Sequence, residues 1–353
     1  MSPGTDRFRG PLHLKREVRA RRTGPVTHRS AALRSAACVA AVVTTCALPA
    51  GCARNPPPAA PTASDHWLTT ADSARLYYRI LGAGHETVIV PLASLHGTSL
   101  DALARGRRLV LYDPRGRGRS DTVPPAKVSL DYNLADLDAI RAEVSAERAA
   151  LIGWSGLGME LFVYALRHPD RVTRLVQLAP VAPRWVPWAD SLMADRRRRT
   201  DSAAAAELGG KVAGGEYRDD PAAHCRAAAA VNLPPTFADP ADARLAPDVC
   251  AYPTEWPERL GAYFAALLGS IDGFDWSDSL AQATGVPRLV IHGGRDNTPL
   301  AGNREWVSGQ PNARLFVVDG AGHWPHYERP DQVIPAIERF LAGGWPDGST
   351  AAR

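Results

Sequence analysis

The period of the apolar positions changes several times along the chain, and each change marks an element. Residues 66–70 and 74–81 alternate apolar and polar side chains around Ala71-Asp72-Ser73, which predicts an opening hairpin with a solvated edge. Residues 87–90, 108–112, 149–152, 175–179, 287–292 and 313–318 are instead continuous apolar runs, the pattern of strands buried on both faces of a parallel sheet. Between them the period becomes helical. Leu134, Leu137, Ile140 and Val144 recur through 131–147, with Asp131 as the expected cap, and residues 331–341 form a closing helix. Residues 185–285 break the alternation with Ala-rich helical pieces and Pro-containing turns. The predicted architecture is α/β: a mostly parallel central sheet flanked by helices, its core formed by 66–184 and 286–346, with a helical lid at 185–285 inserted after the sixth strand.

At 353 residues, with 45% hydrophobic and 22% charged, the chain has enough apolar surface for one large core with an insertion. The formal charge of +4 is misleading, because residues 1–52 hold nine basic residues against Asp6 and Glu17. The remainder carries 32 basic and 35 acidic residues, a net of −3, which gives no reason to expect a nucleic-acid partner. The basic excess belongs to a long lead followed by the apolar run 36–51, Cys52 and a Pro/Ala-rich tether at 53–65. This is the order of an export signal, and the run is too short for a comfortable membrane span. Leu48-Pro49-Ala50-Gly51-Cys52 resembles a bacterial lipoprotein cleavage site, with Pro49 in the slot where that pattern wants its leucine. Lipidation at Cys52 and plain cleavage with release are both compatible with it. The expected location is therefore outside the cytoplasm, anchored to the envelope by lipid or secreted, with no other membrane contact.

Beyond position 52 the cysteines are Cys225 and Cys250. Two cysteines in an exported chain are expected to pair, and closing a loop of about 25 residues contributes on the order of 3 kcal/mol in the chain-entropy model. No zinc-type cysteine spacing and no phosphate-binding Gly-x-x-x-x-Gly-Lys is present, so neither a metal nor a cofactor is expected.

The chemistry concentrates at Leu151-Ile152-Gly153-Trp154-Ser155-Gly156-Leu157-Gly158. A buried strand ends, a sharp turn carries a serine, and a helical pattern (Met159, Leu161, Phe162, Ala165) begins at once. A serine hydroxyl is a weak nucleophile unless an imidazole lies within hydrogen-bond reach and a carboxylate fixes that imidazole's tautomer. Asp296, in Gly293-Gly-Arg-Asp, and His323, in Gly-Ala-Gly-His, each follow a predicted strand. The chain order is Ser, Asp, His.

These residues, with the loop Asp113-Pro-Arg-Gly-Arg-Gly-Arg-Ser-Asp121 after the fourth strand, resemble the α/β-hydrolase family over about residues 66–345, the lid excepted. The resemblance implies a Ser155–His323–Asp296 triad and an oxyanion hole made by the N–H of Gly156 and a second donor near 91–98. Placing Pro91-Leu92-Ala93 at the strand end, where the family has His-Gly, makes that donor Ser94; placing His96-Gly97 there makes it Thr98. Two places after the serine the family has a small residue and this chain has Leu157, which predicts a reshaped elbow. His96 is then structural or a pocket residue, and His326 is a weaker base candidate than His323.

Three functions remain open. A serine hydrolase of small carboxylic esters comes first. A proline-iminopeptidase-like aminopeptidase acting on a short peptide would use lid acids such as Glu255 or Glu258 to receive an α-amino group. A hydrolase-fold binding protein without turnover is the third. Trp154 and Trp324, beside the nucleophile and the base, are expected with Glu255 to contact substrate.

Overall fold

The computed structural model describes residues 63–283 and 285–351. The expected export segment, Cys52 and the tether as far as residue 62 lie outside them. Eight strands form one sheet in the order β1-β2-β4-β3-β5-β6-β7-β8: β1 Ala63–Thr69, β2 Arg75–Leu81, β3 Thr87–Pro91, β4 Arg108–Tyr112, β5 Ala149–Trp154, β6 Val172–Leu178, β7 Arg288–Gly293 and β8 Ala313–Val318. The hairpin β1–β2 is antiparallel, β2 runs antiparallel to β4, and all later pairs are parallel. Residues 63–65, expected in the tether, already pair with Leu81, Ile80 and Arg79 as the first rungs of β1.

Side-chain alternation sorts the apolar runs onto two faces. Ile89, Val110, Leu151, Leu175 and Val290 point to one core, shared with helices Leu130–Glu143 and Gly156–Arg167. Val88, Val90, Leu109, Leu111, Ile152, Val176 and Ile291 point to the other, closed by Val333, Ile337 and Phe340 of helix Pro330–Leu341. Because both faces are covered, the inner strands read as unbroken apolar stretches. Helix Leu130–Glu143 is capped by Ser129, whose Oγ accepts the Tyr132 N–H at 3.3 Å, and Asp131 falls inside the first turn.

Between β6 and β7 the chain leaves the sheet and forms helices Trp188–Arg199, Ser202–Ala213, Pro221–Asn232 and Pro257–Gly269, the last two joined by a long segment, 233–256, of successive single helical turns. Asp201 and Asp220 cap two of them by accepting backbone N–H groups. Cys225 and Cys250 are joined by a disulfide. The insertion is fastened to the sheet unit by buried polar contacts. Arg117, in the loop after β4, makes a bidentate ion pair with Glu255 at 2.9 Å and 2.9 Å, while Thr254 Oγ1 donates to the Gly118 carbonyl at 2.6 Å. The same loop is pinned below by Arg115, which bonds Asp136 and Asp72.

Candidate active site

Ser155 sits where β5 turns into helix Gly156–Arg167, with φ 57° and ψ −128°. A non-glycine residue in this region is strained, and the surroundings hold it there. Its N–H is donated to the Leu178 carbonyl at 2.9 Å, which ties the turn to the end of β6. A Cβ on Gly153 would lie 2.7 Å from the Leu157 carbonyl oxygen, so only glycine lets the helix cross the strand end this closely. One on Gly158 would lie 3.1 Å from the Gly153 oxygen and 3.2 Å from Pro180 Cβ. The tight approach thus falls at 158, one place later than in the usual motif. Leu157 turns its side chain into an apolar cluster with Leu92, Leu95, Phe237 and Trp324. The Gly156 N–H opens the helix, and the space a side chain would fill there is empty.

His323 and Asp296 converge on this serine from the loops after β8 and β7. His323 Nε2 is 3.0 Å from Ser155 Oγ, and His323 Nδ1 is 3.1 Å and 3.2 Å from the two Asp296 oxygens. The carboxylate fixes the tautomer: Nδ1 carries the proton toward Asp296 and Nε2 is left to accept from the hydroxyl. The Asp296 side chain is 0% exposed and that of His323 is 13% exposed. Burial pushes the Asp296 carboxyl up, but the charge and hydrogen bond of His323, with the Thr298 N–H at 2.8 Å, outweigh it and hold the group below its ordinary value. A cleft lined by Ser129, Asp131, Ser270, Phe274 and Trp276 shares no residue with this constellation.

Several expected contacts fall elsewhere. Leu92 adopts a left-handed conformation and starts the short helix Ala93–His96, which turns the Ser94 N–H inward to Asp113 Oδ1 at 2.9 Å; Ser94 Oγ bonds the same carboxylate at 2.5 Å. Ser94 is therefore not available as an oxyanion donor. Thr98 is exposed beyond this helix. The N–H of Ala93, first in the helix, has no acceptor among the described residues. Glu255 is consumed by Arg117 and by the Gly118 N–H at 2.8 Å, so no amino group can use it, and Glu258 pairs with His224 at 2.8 Å.

The two tryptophans brace the base loop. Trp324 is 3% exposed and stacks on Phe237, which leaves no surface for substrate. Trp154 donates Nε1 to the His323 carbonyl at 2.7 Å and packs its ring 4.2 Å from Trp324. His96 and His326 are buried against each other, Nδ1 to Nε2 at 3.3 Å, and burial lowers both imidazoles, His96 to about 4. Among the described residues no group of His, Cys, Asp and Glu is arranged to hold a metal ion. Sequence reasoning missed Glu160, Asn133 and Glu328. All three are buried polar groups whose partners lie on other elements, and no local motif announces them.

The fold and this arrangement define an α/β hydrolase. A family model described as alpha/beta hydrolase fold matches residues 94–330, and the chain belongs to that family. Among curated relatives it is similar to a 2-hydroxy-6-oxononadienedioate/2-hydroxy-6-oxononatrienedioate hydrolase of Paraburkholderia phymatum, 26% identical over 281 residues, covering 76% of this chain and 91% of the relative. It is also similar to the pimeloyl-[acyl-carrier protein] methyl ester esterase of Neisseria meningitidis, 29% identical over 240 residues, covering 66% of this chain and 81% of that one. A solved structure of a serine hydrolase from Cycloclasticus zankles shares the fold with a TM-score of 0.60 at 20% identity, covering 80% of this chain and 99% of that one. Hydrolysis is the activity class these similarities support.

Proposed function

We propose that the protein is a serine hydrolase that cleaves a small carboxylic ester through an acyl-enzyme. The observation carrying this reading is the continuous line Ser155 Oγ, His323 Nε2, His323 Nδ1, Asp296, each link between 3.0 Å and 3.2 Å. In the proposed reaction Ser155 Oγ attacks the ester carbonyl while His323 Nε2 takes its proton, and Asp296 stabilises the imidazolium. The proton then passes to the departing alkoxide, and a water activated by the same imidazole releases the acid. The developing oxyanion is received by the Gly156 N–H and, with Ser94 committed to Asp113, by the unpartnered Ala93 N–H; loss of one such donor raises a barrier by about 3 kcal/mol.

Commitment of Glu255 to Arg117 and pairing of Glu258 with His224 weigh against the aminopeptidase reading, and a hydrogen-bonded triad weighs against a binding protein without turnover. Small-molecule substrate and export, by lipid anchor at Cys52 or by release, complete the proposal; the order of the first 65 residues and the Cys225–Cys250 disulfide support the location. The test is turnover of a short-chain p-nitrophenyl ester and of proline p-nitroanilide by the purified protein and by Ser155→Ala. Ester cleavage lost in the variant is expected, and serine-dependent release from the anilide alone would overturn the ester assignment.

A further inference from the structure

The base loop is held by a carboxylate outside the triad. Glu328 ends the short helix Pro325–Glu328 and is 6% exposed. Its Oε1 accepts the N–H groups of Gly322 at 2.9 Å and Trp324 at 3.1 Å, the residues on either side of His323. Its Oε2 accepts the Gly322 N–H at 3.0 Å and the Ala238 N–H at 2.8 Å. Ala238 belongs to the insertion. Two residues earlier, Thr236 accepts the His323 N–H on its carbonyl at 2.8 Å and Trp324 Nε1 on its hydroxyl at 2.9 Å. The two segments approach so closely that a Cβ on Gly322 would lie 2.6 Å from Ala238 N and 2.7 Å from the Thr236 oxygen. This strap, 236–238, lies within the loop that the Cys225–Cys250 disulfide closes.

We infer that Glu328 is a positioning residue for His323, and that the disulfide-closed strap 236–238 is a fixed part of the catalytic apparatus, not a cover that opens. The inference rests on the serine-hydrolase reading. An ionised carboxylate accepts only, so three backbone donors from two distant segments converge on it without conflict. The imidazole can work only while Nε2 stays within hydrogen-bond reach of the hydroxyl, and the peptide groups before and after His323 set where its ring hangs. An amide at 328 would turn an N–H₂ toward one of those donors and release either the base loop or the strap.

The experiment measures kcat and KM on a p-nitrophenyl ester, and the rate at which a fluorophosphonate labels Ser155, for wild type, Glu328→Gln and Thr236→Val, each oxidised and after reduction of the disulfide. A base displaced by a fraction of an ångström lowers the rate of attack without touching ground-state binding. The Glu328→Gln variant is therefore expected to lose about 10- to 100-fold in kcat and in labelling rate, with KM nearly unchanged. Thr236→Val should shift the same two quantities by less. Reduction should lower kcat of the wild type but add little to Glu328→Gln, because both perturbations act through one strap and do not add.

Wild-type kcat in Glu328→Gln, a change confined to KM, or reduction effects that multiply would overturn the inference. Should Glu328→Gln fail to fold, unchanged kcat in both Thr236→Val and the reduced wild type overturns it equally. A wild type that is neither labelled nor active refutes the serine-hydrolase reading itself, and this inference falls with it.

Discussion

Glu160 makes the stability of this protein depend on pH in a direction opposite to that of most carboxylates. It lies in the elbow helix, 4% exposed, where its Oε2 accepts Asn133 Nδ2 at 2.9 Å. The guanidinium whose charge reaches it, that of Arg117, is paired with Glu255. Burial pushes the Glu160 carboxyl up from 4.5 to about 7, against the smaller opposing effects of the Asn133 hydrogen bond and the Arg117 charge. The folded state therefore holds this proton over a range where the unfolded chain has lost it. Stability from this group is fully present below the unfolded value of 4.5 and is lost as pH rises through the folded value near 7.

Carrying the two values through the linkage relation, the group costs the folded state roughly 2–3 kcal/mol more at pH 8 than at pH 5. Glu160→Gln keeps an acceptor for Asn133 and cannot ionise. Urea unfolding of wild type and variant at pH 5 and pH 8 isolates the effect, since every other titrating group cancels in the difference. The variant should gain on the wild type by roughly 2–3 kcal/mol between the two pH values. A difference that does not change with pH, or that favours the variant more at pH 5, would refute the account.

Arg117→Ala leaves the Glu255 carboxylate buried without its cation, and unfolding measurements should show a loss of about 3–5 kcal/mol; hydrogen exchange should rise first in helix Pro257–Gly269, and uniform exchange across the sheet would contradict this order. Gly153→Ala places a methyl 2.7 Å from the Leu157 oxygen, so soluble yield and Tm should both fall, whereas Gly156→Ala, with open space at that position, should leave Tm nearly unchanged. Ser155→Ala should abolish ester turnover with an unaltered circular dichroism spectrum, and residual turnover near wild type would remove Ser155 from its proposed role.

The sheet was legible because burial on both faces leaves a mark that needs no partner to be read: residues 108–112 and 313–318 are β4 and β8 to the residue. Ser155, Asp296 and His323 stood out because each follows such a run. What failed to show depended on chain segments far apart or on a single backbone angle. Fitting the strand end to the family pattern points to Ser94 or Thr98 at the oxyanion, and the left-handed turn at Leu92 directs the Ser94 N–H to Asp113 instead. Glu255 looked like a free acid because its partner Arg117 is 138 positions away. Trp324 is hidden beneath Phe237 and Thr236, which come from an insertion with no periodicity to align. Ala63–Asp65 read as tether because an exposed edge strand needs no apolar side chains, only the backbone rungs to Leu81, Ile80 and Arg79.

The distance along the chain between nucleophile and base has a consequence for how the protein is made. Ser155 and His323 are 168 positions apart, and the base loop follows the last strand of the sheet. On the serine-hydrolase reading, a chain that has formed β5 and its elbow but lacks the loop after β8 displays a serine with the reactivity of an ordinary alcohol, because the imidazole is missing. On the proposed reading, any product that ends before residue 323 stays inert for the same reason. On that reading latency lies in the order of the chain, and reactivity toward a phosphonate reports on molecules closed to the final strand.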